Sequence, residues 1–115
     1  MLSTMRINER GDKRWYLNGK LHRENGPAIE RITGCKEWFL NGKLHREDGP
    51  AIEHADGTKW WYLNGLLHRE DGPAIEHANG DRWWYLNGLL YIMEKDYNQA
   101  LEQQRMNNEK TNQKT

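Results

Sequence analysis

A chain of 115 residues is one domain's worth of protein, and its 17 lysines and arginines are balanced by 17 aspartates and glutamates. Zero net charge argues against gripping a phosphate backbone, which takes a clustered basic surface, and equally against a polybasic membrane-surface module. Mean hydropathy is -1.12, so six tryptophans and five tyrosines have to supply much of the buried area. No apolar run approaches the roughly 18 to 20 residues of a spanning helix. The first six residues lack the apolar core of a secretory signal, and the single Cys35 cannot form an internal disulfide. The expectation is a soluble cytoplasmic protein.

The chain is periodic. Asn-Gly recurs at Asn18-Gly19, Asn41-Gly42, Asn64-Gly65 and Asn87-Gly88, always 23 residues apart. Gly-Pro keeps step at Gly26-Pro27, Gly49-Pro50 and Gly72-Pro73, and a further glycine at Gly11, Gly34, Gly57 and Gly80. A fixed period of this size signals a stacked repeat array. Residues 1–10 precede the first full unit, and the alternation in Met5-Arg6-Ile7-Asn8 predicts an edge strand standing in for a missing half-repeat.

Each full unit predicts three short strands. In the third copy, Lys59 to Leu63 is aromatic-rich and suits a pleated, half-buried surface. Asn64-Gly65 is the strongest short hairpin signal, because both central residues of a type I′ turn need positive φ. Leu66 to Arg69 returns, Glu70 to Pro73 turns, and Ala74 to His77 is the third strand. A two-residue loop sets Leu63 opposite Leu66, Tyr62 opposite Leu67 and Trp61 opposite His68. Stacked copies then give columns: Trp15, Trp38, Trp61 and Trp84 on one face, expected as core; Tyr16, Phe39, Tyr62 and Tyr85 on the other. Both faces carry apolar columns, so the sheet is expected to curl or to bury one side against itself or a partner.

Residues 92–108 break the pattern. Met93, Tyr97, Ala100, Leu101 and Gln104 fall at helical spacing, which predicts a capping amphipathic helix that closes the sheet, followed by a flexible polar tail over 109–115. The fold class read from the sequence is mostly β: an elongated antiparallel meander of hairpin repeats over residues 1–91, with a C-terminal capping helix.

The triplicated His22-Arg23-Glu24, His45-Arg46-Glu47 and His68-Arg69-Glu70 offer His/carboxylate pairs. A catalytic site is normally one constellation, so a set recurring at the repeat period reads as scaffold. Cys35 has no matched His/Asn arrangement, and no phosphate loop, Cys-x-x-Cys or serine nucleophile elbow is present. No catalytic residue, metal ligand or cofactor is expected, and the chain reads as no enzyme. Where the copies differ is more informative. Arg14 and Glu37 give way to Trp60 and Trp83, and Lys20 and Lys43 to Leu66 and Leu89. Trp60, Trp83, Tyr62, Tyr85, Leu66 and Leu89 are therefore the candidate partner-binding residues, with the helix or a second subunit expected to cover that half.

The unit W-Y-L-N-G-x-L-H-R-x-x-G-P-A-I-E, closed by Ala55-Asp56-Gly57, resembles MORN-type repeats, in the NGK-HREDGPA variant of bacteriophages and large DNA viruses. Trp61, Tyr62, Asn64, Gly65, Gly72, Asp56 and Gly57 fill the motif places over residues 5 to 91. The spacing differs from the usual unit, with two more residues between N-G and D-G, and the Y-x-G opening is missing. The resemblance implies an extended antiparallel sheet used for protein binding or assembly, without enzymatic activity. It suggests a viral accessory protein that inhibits a host defence factor in the host cytoplasm. The rival expectations are an aromatic-lined binder of a nucleotide or glycan, and a self-assembling structural protein (a homo-oligomer).

Overall fold

The computed structural model describes residues 2–113, as 14 strands and one helix. β1 (Thr4–Ile7) precedes the first unit, which comprises β2 (Lys13–Leu17), β3 (Lys20–Leu21) and β4 (Ile29–Glu30). The second unit holds β5 (Lys36–Glu37), β6 (Phe39–Leu40), β7 (Lys43–Leu44) and β8 (Ile52–Glu53). The third repeats it as β9 (Lys59–Trp60), β10 (Tyr62–Leu63), β11 (Leu66–Leu67) and β12 (Ile75–Glu76). The fourth has β13 (Arg82–Leu86) and β14 (Leu89–Tyr91), then α1 (Glu94–Gln113). The protein is a thin antiparallel meander with extents of 50 × 41 × 17 Å. The main sheet runs β1-β2-β4-β5-β8-β9-β12-β13-β14, while β6-β7 and β10-β11 form separate two-stranded ladders.

The aromatic strand expected over Lys59 to Leu63 is split at Trp61, and its counterpart at Trp38, because these residues change partners. The Trp38 N–H donates to the Ala51 carbonyl just before the third strand, while the Trp38 carbonyl accepts from His45 in the hairpin. Trp61 does the same with Ala74 and His68. The third strand expected as Ala74 to His77 is shorter too, with only Ile75 and Glu76 in ladder pairing.

The turns form as their sequence requires. Asn64 has φ 51° and Gly65 φ 82°, the two successive left-handed residues of a type I′ hairpin. The pairings Leu63–Leu66 and Tyr62–Leu67 hold as predicted.

The tryptophan column expected as core is only half-buried. The fully buried apolar residues of the array are Ala28, Ala51 and Ala74, at 0% exposure, with Ile29, Ile52 and Ile75. With no second layer to cover it, a single sheet buries only small or short side chains that larger neighbours overhang. Ile52 lies between Glu37 and Trp60, and Ile75 between Trp60 and Trp83.

The expected edge strand forms as β1, with Arg6 opposite Arg14 and Ile7 opposite Lys13, the places that Ile29 and Glu30 take against Glu37 and Lys36. The helix begins at Glu94, not at 92, and continues through 109–113 where a tail was expected; 114–115 lie outside the described residues. Glutamate, lysine and glutamine are good helix formers, which carries α1 past its packed half.

Loops are tied across units. The Asp12 carboxylate accepts the Ile32 N–H at 2.9 Å and the Asn8 amide at 3.1 Å, and Thr58 Oγ1 accepts the Ala78 N–H at 3.1 Å, 20 residues on. Cys35, at the equivalent place, has its sulfur 3.8 Å from His54 Nδ1. The Ile32 N–H, then the Asn8 amide, hold the Asp12 carboxyl below the usual carboxylate range. A carboxylate depressed by folding stabilises the native state above about pH 4, its unfolded value, and loses that contribution as pH falls through the lower folded value. Asp12→Asn is expected to lower the urea midpoint at pH 7, with the gap to the parent protein closing as pH falls below about 4, the unfolded value. A gap that stays constant or widens on acidification would show that Asp12 is not the acid-sensitive tie.

Candidate interaction surface

The two sheet faces carry different chemistry. On the first face, directly paired residues form one row across the sheet: Arg14, Ile29, Glu37, Ile52, Trp60, Ile75, Trp83. The row passes from charged to apolar along the array. Tyr62 and Tyr85 flank it, two residues on from Trp60 and Trp83 in the chain. Trp60 stacks on Tyr62 with ring centroids 6.4 Å apart and meets the His54 ring edge-on at 5.8 Å. Burial, and then Tyr85, push the Tyr62 phenol up. Trp60 is half-buried with its indole N–H unpartnered, and Trp83, at 41% exposure, is open to solvent.

On the second face each unit builds an arginine lid over its tryptophan. The guanidinium of Arg23, Arg46 and Arg69 lies 3.8 Å from the ring centroid of Trp15, Trp38 and Trp61, respectively. The same guanidinium donates to the carbonyl of Pro27, Pro50 or Pro73 at 3.0–3.1 Å. Arg69 also pairs with Asp71 at 2.9 Å and Glu76 at 3.1 Å. The arginine thus bridges carboxylates of its own unit and covers half of an indole that no second sheet protects.

This lid explains the glycine of Gly-Pro. A Cβ on Gly49 or Gly72 would stand 2.9 Å from the Cζ of Arg46 or Arg69. Neither residue has positive φ, so the requirement is space, not backbone freedom.

The histidines are staples. Nδ1 of His22, His45 and His68 accepts the backbone N–H of Asn41, Asn64 and Asn87 at 2.9 Å, in each case across to the next hairpin. Because a backbone N–H only donates, the ring's proton sits on Nε2. Nε2 of His68 is 3.1 Å from Glu70, and the equivalent distances to Glu24 and Glu47 are 3.5 and 3.6 Å. The His22 Nε2 therefore lacks a full hydrogen bond. These pairs repeat along the sheet and converge on no common point. Among the described residues no group of three or more His, Cys, Asp or Glu side chains is placed to hold a metal ion. Burial and the Glu37 carboxylate raise the Cys35 thiol, against Arg31, so it stays protonated and is not primed as a nucleophile.

The fourth unit replaces His-Arg-Glu by Tyr91-Ile92-Met93, so Trp84 has no arginine lid. The helix α1 stands in for it. Leu86, Tyr97 and Leu101 form a buried cluster flanked by Trp84, Tyr91 and Ala100, and the Tyr97 hydroxyl donates to the Arg69 carbonyl at 2.6 Å. The helix thus docks on the second face. It does not cover Trp60 or Trp83, which corrects the expectation that it packs over the apolar end of the row. The reason lies in the missing lid, since an uncovered tryptophan and Leu86 attract its apolar stripe.

The six predicted partner-binding residues do not form one patch. Trp60, Trp83, Tyr62 and Tyr85 share the first face. Leu66 and Leu89 are exposed on the second, in a column after Lys20 and Lys43; a Cβ on Gly88 would sit 3.4 Å from Leu66. Sequence reading missed Ile92, which is 87% exposed beside Trp83 and lines a 320 Å³ cleft with Asp81, Arg82, Trp83 and Tyr91. The loss of His-Arg-Glu from the fourth copy is the signal that marks it.

Compared with protein-family models, with curated proteins and with solved structures, the chain matches none. Among the described residues no helix is long and apolar enough to cross a membrane.

The lid leads to a test. Gly72→Ala is expected to cost about 1 kcal/mol, because the flexible Arg69 can shift but gives up part of its seat on Trp61. In an Arg69→Ala background the same change should cost much less, because the clashing group is gone. Equal costs in the two backgrounds, read from urea unfolding, would remove the steric explanation.

Proposed function

We propose that this chain is a non-enzymatic protein-binding module whose docking surface is the apolar end of the first face, centred on Trp83 with Trp60, Tyr62, Tyr85 and the neighbouring Ile92. One observation carries this reading. The sheet row that begins with Arg14 and Glu37 ends in Trp60 and a Trp83 that the chain's own helix leaves uncovered. Tryptophan and tyrosine dominate binding hot spots, and an exposed tryptophan beside a nearly fully exposed isoleucine is costly unless something binds there. Leu66 and Leu89, on the other face, fall outside this surface.

The resemblance to MORN-type repeats agrees with a binding role. Its phage and large-virus form suggests an accessory protein that occludes or sequesters a host factor, such as a defence enzyme, in the host cytoplasm. The histidines' backbone bonds supply a structural reason for the triplicated His-Arg-Glu, which leaves no motif calling for catalysis.

The test compares affinity capture from a host lysate by the parent protein, by Trp83→Asp and by Leu2→Asp, which alters an exposed apolar residue at the far end. A partner retained by the parent and Leu2→Asp but lost with Trp83→Asp, at matched thermal stability, is the expected result. Identical capture by all three, or none, would remove this surface as the docking site.

A further inference from the structure

The repeat itself shows what is missing beside Trp83. Along the main sheet, Lys13 pairs with both Ile7 and Glu30, Lys36 with Glu30 and Glu53, and Lys59 with Glu53 and Glu76. Arg82 pairs with Glu76 alone. In the adjoining register Arg14, Glu37 and Trp60 likewise have two partners each, while Trp83 has only Ile75. The pairing of β13 with β14 covers only Trp84, Tyr85 and Leu86. The first two residues of β13 are therefore an open strand edge, where every earlier unit has a third strand. The cleft lined by Arg82, Trp83 and Ile92 is that vacancy.

The filled copies define the occupant. Each third strand places an isoleucine in the first-face row and a glutamate between two basic residues: Glu53 between Lys36 and Lys59, Glu76 between Lys59 and Arg82. The vacant position offers Trp83 for an apolar β-branched side chain and Arg82 for a carboxylate. Extended segments add to such edges through main-chain hydrogen bonds, with alternate side chains setting the choice. We propose that the outer edge of Arg82–Trp83 is a strand-addition site that takes an extended partner segment carrying a β-branched apolar residue followed by an acidic one. This rests on the protein-binding reading above and names the partner chemistry.

A second copy of this chain fits less well. The outer side of its edge strand β1 would present Arg6 and Ile7, which puts a cation and an alkyl group where isoleucine and glutamate belong. Its Met5 would take the place that the fully buried Ala28, Ala51 and Ala74 hold in the filled copies.

The probe is a synthetic peptide of residues 71–77, Asp-Gly-Pro-Ala-Ile-Glu-His, added to the full chain. Saturable shifts of the Arg82 and Trp83 amide signals are expected below about 1 mM, because a short strand makes few contacts. Arg82→Glu should weaken binding by about tenfold or more, and a peptide with lysine in place of Glu76 should regain it on that variant. Arg82→Glu also sets a carboxylate opposite Glu76, so melting is expected to fall slightly, and unchanged amide signals away from this edge confirm an intact fold. Absence of shifts at these amides, or binding indifferent to charge reversal, overturns the site. So does concentration-dependent oligomerisation abolished by Arg6→Glu, since the occupant would then be a second copy. A captured protein whose binding survives both the peptide and Arg82→Glu overturns this site and leaves the interaction reading standing. Peptide binding with no captured protein does the reverse.

Discussion

At the centre of the sheet, one alanine bonds to its own unit and to the next. The Ala28 carbonyl accepts from Trp15 in its own unit, and its N–H donates to Glu37 in the following one; Ala51 and Ala74 repeat the arrangement. All three alanines are fully buried at the centre of the sheet. A two-residue strand can therefore hold the array together, because it is shared by two neighbours. The shortness of the third strand follows from the same geometry, since the aromatic strands diverge into their own hairpins beyond it.

Lacking a second layer, the sheet protects itself with side chains. Arginine spreads over tryptophan, glycine makes room for arginine, and histidine reaches across to the next hairpin where a backbone acceptor would otherwise be needed. Backbone bonds flank each histidine, from the Gly42 N–H to the Leu21 carbonyl at 2.8 Å and from the Arg23 N–H to the Phe39 carbonyl at 3.1 Å, so the imidazole acts as a rung of the ladder. His-Arg-Glu, which looks like chemistry on paper, is the joint between hairpins. A repeat built this way has structural reasons to keep its histidines constant.

The two ends of the array solve the edge problem differently. At the start, β1 closes the sheet with a four-residue strand that has a free outer side. At the finish, the chain turns to the second face to cover Trp84 and Leu86, and by doing so leaves the first face and the edge at Arg82 open. Covering one face with a helix and exposing the other makes this array polar along its length, with apolar surface concentrated at the end where the third strand is absent.

Much of the fold was legible because it is local. Asn-Gly needs two left-handed residues and so dictates the hairpin; the hairpin sets Tyr62 against Leu67; the period of 23 carries that register through the chain. The spacing of Tyr97, Ala100 and Leu101 likewise specified the helix and its inner stripe. What periodicity could not give was depth. Whether Trp61 is core or half-exposed depends on an arginine eight residues on and a glycine eleven residues on meeting over its ring, which is a matter of packing. The candidate surface divided in the same way. The change from Arg14 and Glu37 to Trp60 and Trp83 was readable in the sequence, because equivalent positions can be aligned by the repeat. That Trp83 stays open while Leu86 is buried was decided only in three dimensions, because the helix chose between two apolar faces and took the one whose tryptophan had lost its arginine.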